Sequence, residues 1–310
     1  MIRSLLWRTN RSQSPATGLS GNQSKASFAR LPVTRPCFLG NSHLACLKLA
    51  ADRDPSLVPD GTAWFAGSST SLAGMRLRGS RLVPRGQRLK AQMTAVSGGT
   101  EQIDLEAHDL FVIIGVGFEY RSVFSLLRTY CLFSDMVRGR QADRLLISDG
   151  FFRGLLGEIH AKYPGERIAR QIRSVNPDAR VLILPAPYPS ETILDRPDLI
   201  GGLAQIRDSD CFAEMVAFHL EGARRAAEAA GAQIVPQDPA TIAATGFTQA
   251  RYNERAVGLQ GARLANAKNW HDEKRRYDPW HMNVDFGQRQ LLALAAALQT
   301  AVVPEPMLLG

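Results

Sequence analysis

Ser42 closes the motif Gly40-Asn41-Ser42, just after the apolar run Cys37-Phe38-Leu39. Asp278 and His281 lie in Asp278-Pro279-Trp280-His281, just ahead of a stretch rich in Leu and Ala. A serine hydroxyl is a poor nucleophile at neutral pH until a base takes its proton. An imidazole does so well when a carboxylate holds its second nitrogen in the right tautomer. The spacing Asp-x-x-His lets the carboxylate reach the ring on a tight turn or a first helical turn. Each motif also has a plain structural role. Ser42 reads as a helix N-cap, Asp278 as a turn cap, and His281 as an ordinary surface side chain.

The elements around these motifs decide whether they meet. Residues 37–39 read as a strand, 42–51 as a helix, and 62–66 as a second strand leading into Gly67-Ser68-Ser69. Residues 74–102, rich in Arg, Gly and Ser, read as an irregular insertion or an edge hairpin. Asp109-Leu-Phe-Val-Ile-Ile114 is continuously apolar, as a parallel strand buried on both faces should be, and it ends in Gly115-Val116-Gly117. Helices are expected over 121–136, over 151–176 with Pro164 as an interruption, over 209–230 with Gly231 as C-cap, and over 287–300. Further strands fall at 180–184 and 232–235. This alternation predicts an α/β fold with three layers, α/β/α, around a five-stranded parallel sheet. Sites in such sheets form at the carboxyl ends of the strands, where the loops at Ser42, Gly67 and Gly117 would open.

The chain has 310 residues, of which 45% are hydrophobic and 21% charged, as in an ordinary globular protein. No run approaches the roughly 18 apolar residues of a membrane span. The net charge of +8 is not spread evenly: residues 1–100 carry 14 Lys+Arg against 3 Asp+Glu, and the remainder 23 against 26. Residues 1–33 read as a basic, disordered tail and 34–310 as one α/β domain. The tail resembles a transit peptide in being Arg- and Ser-rich and acid-poor, but it lacks a secretory apolar core, so the default compartment is cytoplasmic. It has no aromatic interleaving or binding module, and a nucleic-acid partner is not expected. Four scattered cysteines without a CxxC pair exclude a disulfide scaffold and a zinc ribbon.

A strand followed by Gly-x-Ser at a helix start, with Asp-x-x-His before the last helix, resembles the SGNH, or GDSL-type, hydrolases. The resemblance runs from about Pro36 to the C-terminus. It implies a flavodoxin-like sheet, with Ser42 as nucleophile, His281 as base and Asp278 as the acid that orients it. The N–H groups of Ser42 and Gly67 would hold the oxyanion. No metal or cofactor is required, and the substrate would be an acyl ester of a small molecule or glycan, a sugar O-acetyl group being one candidate. Two departures stand out. Asn41 replaces the family's aspartate. The third block, normally Gly-x-Asn with an amide as oxyanion donor, is here Gly115-Val116-Gly117. Asn253, Asn266 and His43 are candidate substitutes for that donor. The departure keeps open a non-catalytic glycan- or acyl-binding relative, and an acyltransferase using the same triad.

Other constellations are weaker. His271, Asp272, Glu273, Asp278 and His281 cluster in sequence but lack zinc-protease spacing. Gly115-Val116-Gly117 lacks the third glycine of a dinucleotide loop. Lys268, Lys274, Arg275 and Arg276 read as a solvated face, and Trp270, Tyr277 and Trp280 as packing or an aromatic platform.

Overall fold

The computed structural model describes residues 35–133, 143–196, 199, 210–258 and 278–300. The basic segment 1–33, Asn266 and the charged and aromatic residues at 268–277 lie outside them. Five strands form the central sheet: β1 (Pro36–Gly40), β2 (Ala63–Ala66), β6 (Leu110–Ile114), β9 (Arg180–Leu184) and β10 (Gln233–Ile234). Their order is β10-β9-β6-β1-β2 and every pairing is parallel. The chain leaves β1 toward β2 on one side and resumes with β6 on the other. That reversal creates a crevice at the carboxyl ends of β1 and β6. Ser42 lies two residues beyond β1.

Alternate residues of each strand feed two cores. One face carries Cys37, Leu39, Phe111, Ile113, Val181 and Ile183. It is covered by α3 (Gln87–Ser97), α6 (Pro164–Val175) and α7 (Asp210–Ala229). The other face carries Phe38, Val112, Ile114, Leu182 and Leu184. It is covered by α1 (Leu44–Arg53) and α8 (Val284–Thr300). The result is the expected three-layer α/β/α arrangement. Burial on both faces explains why β1 and β6 are apolar throughout, since no position in either strand faces water.

The third apolar cluster joins Tyr120 and Phe124 to Phe152, Tyr188, Phe218 and Phe247. It gathers α4 (Arg121–Thr129) and α5 (Asp149–Ala161) with the segment after β9.

Two local expectations are refined. Of the two readings of residues 74–102, the hairpin is the one found: β3 (Met75–Arg78) and β4 (Arg81–Pro84) pair antiparallel, β5 (Ile103–Asp104) joins them in a three-stranded sheet, and the helix α3, which was not expected, lies between β4 and β5. In α3, Leu89 and Met93 are one turn apart and buried, and Gly98 at φ 78° closes the helix in the left-handed region. The helix expected over 121–136 stops at Thr129. Residues Tyr130–Leu132 (β7) instead pair in parallel with Leu145–Ile147 (β8). Pro164 divides the stretch 151–176 as expected: it stands at the first position of α6, where its missing N–H costs nothing. One further helical turn, α2 (Ser69–Leu72), follows β2.

Candidate active site

Ser42 enters the crevice because β1 ends at Gly40 and the chain turns before α1 begins. Asn41 is buried, and its Oδ1 accepts the His43 N–H at 3.1 Å, which closes the turn around Ser42. The Leu44 N–H reaches back to the Asn41 carbonyl and starts the helix. Ser42 is therefore half-buried, with its hydroxyl toward the crevice rather than capping α1. His43 holds the N-cap position, with no side-chain cap bond.

Asp278 and His281 arrive from the other end of the chain on a turn held from several sides. The Asn253 side-chain amide donates to the Asp278 carbonyl at 2.7 Å and to the His281 carbonyl at 2.8 Å. The Ser190 N–H donates to the Pro279 carbonyl at 2.7 Å, and the Val257 N–H to the Met282 carbonyl at 3.0 Å. Asn283 then caps α8, accepting the Phe286 N–H at 3.0 Å. Asn253 was a candidate oxyanion donor; its amide is instead occupied in fixing this turn.

The two halves meet, although 239 residues separate them. Ser42 Oγ–H donates to His281 Nε2 at 2.8 Å, and His281 Nδ1–H donates to Asp278 Oδ2 at 2.6 Å. The second Asp278 oxygen accepts the Trp280 N–H at 2.9 Å. Burial pushes the Asp278 carboxyl up. The His281 hydrogen bond and charge, together with the Trp280 N–H, outweigh that and hold it below its ordinary value. Asp278 therefore stays ionised and fixes the tautomer in which Nε2 carries the free lone pair.

The N–H groups expected to hold an oxyanion differ in what they bond. Among the described residues no group accepts the Ser42 N–H. The Gly67 N–H, by contrast, donates to the Gly40 carbonyl at 3.1 Å, because the β1–β2 ladder continues one step beyond β2. Gly117 has φ 96°, and a Cβ there would overlap the ring and Cβ of Tyr163. A side chain at 117 is thus excluded by the start of α6, which explains a glycine where the resemblance calls for asparagine. Its neighbour Val116 is buried at φ 33°, a conformation a β-branched residue rarely adopts, so the whole Gly115–Gly117 turn is wound in the left-handed sense.

His43 is no donor in reserve by charge. Its ring stacks on His281 with centroids 5.1 Å apart. Burial, then the His281 charge, lower its pKa to about 3, so it remains a neutral wall behind the His281 imidazole. Sequence reading missed three features: the clamp by Asn253, the stacking of His43, and Arg121, whose guanidinium lies 4.3 Å above the Trp280 ring. Only the last had a sequence signal, a cation and an indole on loops opening at the same sheet edge. Cys37 and Cys46 are buried, as their apolar surroundings suggested, and burial raises both thiols. Among the described residues no group of three or more His, Cys, Asp and Glu side chains is arranged to hold a metal ion. Nor is any helix among them long and apolar enough to cross a membrane.

No protein-family profile and no curated protein sequence matches the chain. Similar solved structures include a DUF4886 family protein from Bacteroides uniformis, with 9% identity, a TM-score of 0.35, and 89% of this chain and 88% of that chain covered. A second crystal structure matches at 13% identity and a TM-score of 0.37, covering 88% of this chain and 98% of that one. At such values neither neighbour assigns a role to this chain, and the chemistry is argued from the Ser42, His281 and Asp278 side chains themselves.

Proposed function

We propose that this chain is a serine esterase of the SGNH type that hydrolyses an acyl ester. The observation that carries the reading is the continuous hydrogen-bonded relay from Ser42 Oγ through both nitrogens of His281 to Asp278. As Ser42 Oγ attacks the ester carbonyl carbon, its proton passes to His281 Nε2. The carbonyl π pair moves onto oxygen, where the Ser42 N–H can meet it. Asp278 stabilises the imidazolium without taking its proton. Collapse of the intermediate breaks the bond to the alcohol oxygen, which takes the proton from His281 Nε2. Water then repeats the sequence on the acyl-Ser42 ester and releases the carboxylic acid. A sugar O-acetyl or another short acyl ester fits this chemistry.

One observation favours a second reading, a protein that binds acyl groups or glycans in the same crevice without turning them over. Of the two backbone donors expected for the oxyanion, the Gly67 N–H is taken by the Gly40 carbonyl, and losing a single donor typically costs about 10²–10³ in rate. A fluorophosphonate probe separates the two. The esterase reading predicts covalent labelling at Ser42 that is lost in Ser42→Ala. It also predicts a drop of at least about 10³-fold in hydrolysis of 4-nitrophenyl acetate in both Ser42→Ala and His281→Ala. Circular dichroism should show both variants folded. Undiminished hydrolysis by Ser42→Ala would sink the assignment. Adding an alcohol acceptor and analysing products distinguishes hydrolysis from acyl transfer.

A further inference from the structure

Arg121 heads α4, on the loop that leaves β6 at the carboxyl edge of the sheet. Its side chain is exposed, yet its guanidinium is held in place, stacked over the Trp280 ring at 4.3 Å. Trp280 is itself fixed: its backbone N–H donates to Asp278, and its ring packs on Phe124 with centroids 5.8 Å apart. The cation therefore stands on the residue between the acid and the base of the triad. Among the described residues no carboxylate pairs with it. The nearest acid in sequence, Glu119, accepts from the Asn41 amide at 3.4 Å. The positive field of Arg121 reaches His43 behind the His281 imidazole, where it adds to the lowering of that ring's pKa. The N-terminal end of α4 contributes charge of the same sign.

We infer that Arg121, stacked on Trp280 at the mouth of the triad, binds an anionic group carried by the substrate. This rests on the esterase reading and specifies its substrate class: an ester bearing a carboxylate or phosphate near the acyl centre. With one face of the guanidinium covered by the indole, its in-plane N–H groups remain for a bidentate bond to two anionic oxygens. Stacking limits the freedom the side chain has to give up on binding, so the charge is presented in an ordered position.

The test uses two pairs of chromogenic or ultraviolet-detected esters. Mono-4-nitrophenyl adipate against 4-nitrophenyl hexanoate places the charge on the acyl side. 4-Acetoxybenzoate against 4-acetoxybenzamide places it on the alcohol side. In wild type, kcat/KM should favour the anionic member of at least one pair, mainly through KM, and raised salt should erode the preference. In Arg121→Gln the anionic-to-neutral ratio for that pair should fall about tenfold, as expected for one charge-assisted contact. Arg121→Lys, which keeps the charge but not the fork, should retain part of it. Fluorophosphonate labelling of Ser42 is followed in the same preparations. Labelling with ratios that Arg121→Gln leaves unaltered in both pairs overturns the assignment of Arg121 alone. Equal losses on charged and neutral esters also overturn it, because they point to stabilisation of the reacting carbonyl. Failure of wild type to label overturns the esterase reading and this inference with it.

Discussion

Gly117 shows how one residue fixes both a strength and a weakness of the site. At φ 96° and against Tyr163 it lets the β6 loop pass tightly under α6, so the loop cannot carry an oxyanion-binding side chain at that position. Restoring the asparagine of related motifs should therefore fail. Gly117→Asn is expected to lower stability by about 2 kcal/mol or more, through overpacking and backbone strain, with no gain in kcat. Urea unfolding and steady-state kinetics on one preparation check both halves. A stable variant with raised kcat would show that the loop can yield. The Asn41 amide makes the neighbouring contact: it fills the space above Gly115 and closes the Ser42 turn. In this chain the asparagine of the first motif is thus a structural residue of the turn that carries Ser42.

At the scale of elements, the two halves of the triad are set by two helices that touch. α1 begins just after Ser42 and α8 begins three residues after His281, and they pack against each other on one face of the sheet. They come close together at Gly287. A Cβ there would overlap the Cys46 carbonyl and lie 2.9 Å from the Leu47 nitrogen. Arg53 reinforces the contact with bonds of 2.8 Å to Asp285 and 2.9 Å to Gln288. Gly287→Ala should push α8 away from α1, costing about 1–3 kcal/mol. Because the same displacement separates Ser42 from His281, kcat should fall more than about tenfold while the remaining protein stays folded. Thermal unfolding and kinetics below the transition test this; loss of stability without loss of kcat would mean that the relay is positioned by the Asn253 clamp alone.

At the scale of the whole molecule, several histidines are buried without charge. His160 and His219 lie edge to face in the third cluster, with centroids 5.0 Å apart beside Tyr120, and His43 lies behind the triad. Burial lowers the pKa of His160 to about 4 and of His43 to about 3, and holds His219 well below its ordinary value. In the unfolded chain these rings titrate near 6.5, so below that pH the unfolded state binds more protons. The stability they leave intact above pH 6.5 should decline as pH falls from 6.5 toward 4 and below. Each ring contributes about 1.4 kcal/mol per pH unit within its window. Denaturant midpoints at pH 7.5 and 5.5 measure the loss, and His219→Phe should flatten it. A midpoint independent of pH over that range would contradict burial of these rings in the neutral form.

What the sequence determined alone is local or periodic. Continuous apolar runs of three to five residues marked β1, β6 and β9, as strands buried on both faces allow. Helical spacing and Gly231 bounded α7, and the short motifs named Ser42, Asp278 and His281. It did not reveal α3, because Leu89 and Met93 are its only buried apolar residues in a stretch dominated by Arg, Gly and Ser. Nor did it reveal that the Gly67 N–H is consumed by the sheet or that Gly117 cannot bear a side chain. Those outcomes depend on which backbone passes beside which, and that is decided when β1 pairs with β2 and α6 closes over the β6 loop. The 2.8 Å contact between Ser42 and His281 is likewise a product of tertiary packing. Sequence supplied the hydroxyl, the imidazole and the carboxylate. Burial of α1 against α8 on one sheet face brought together groups 239 residues apart.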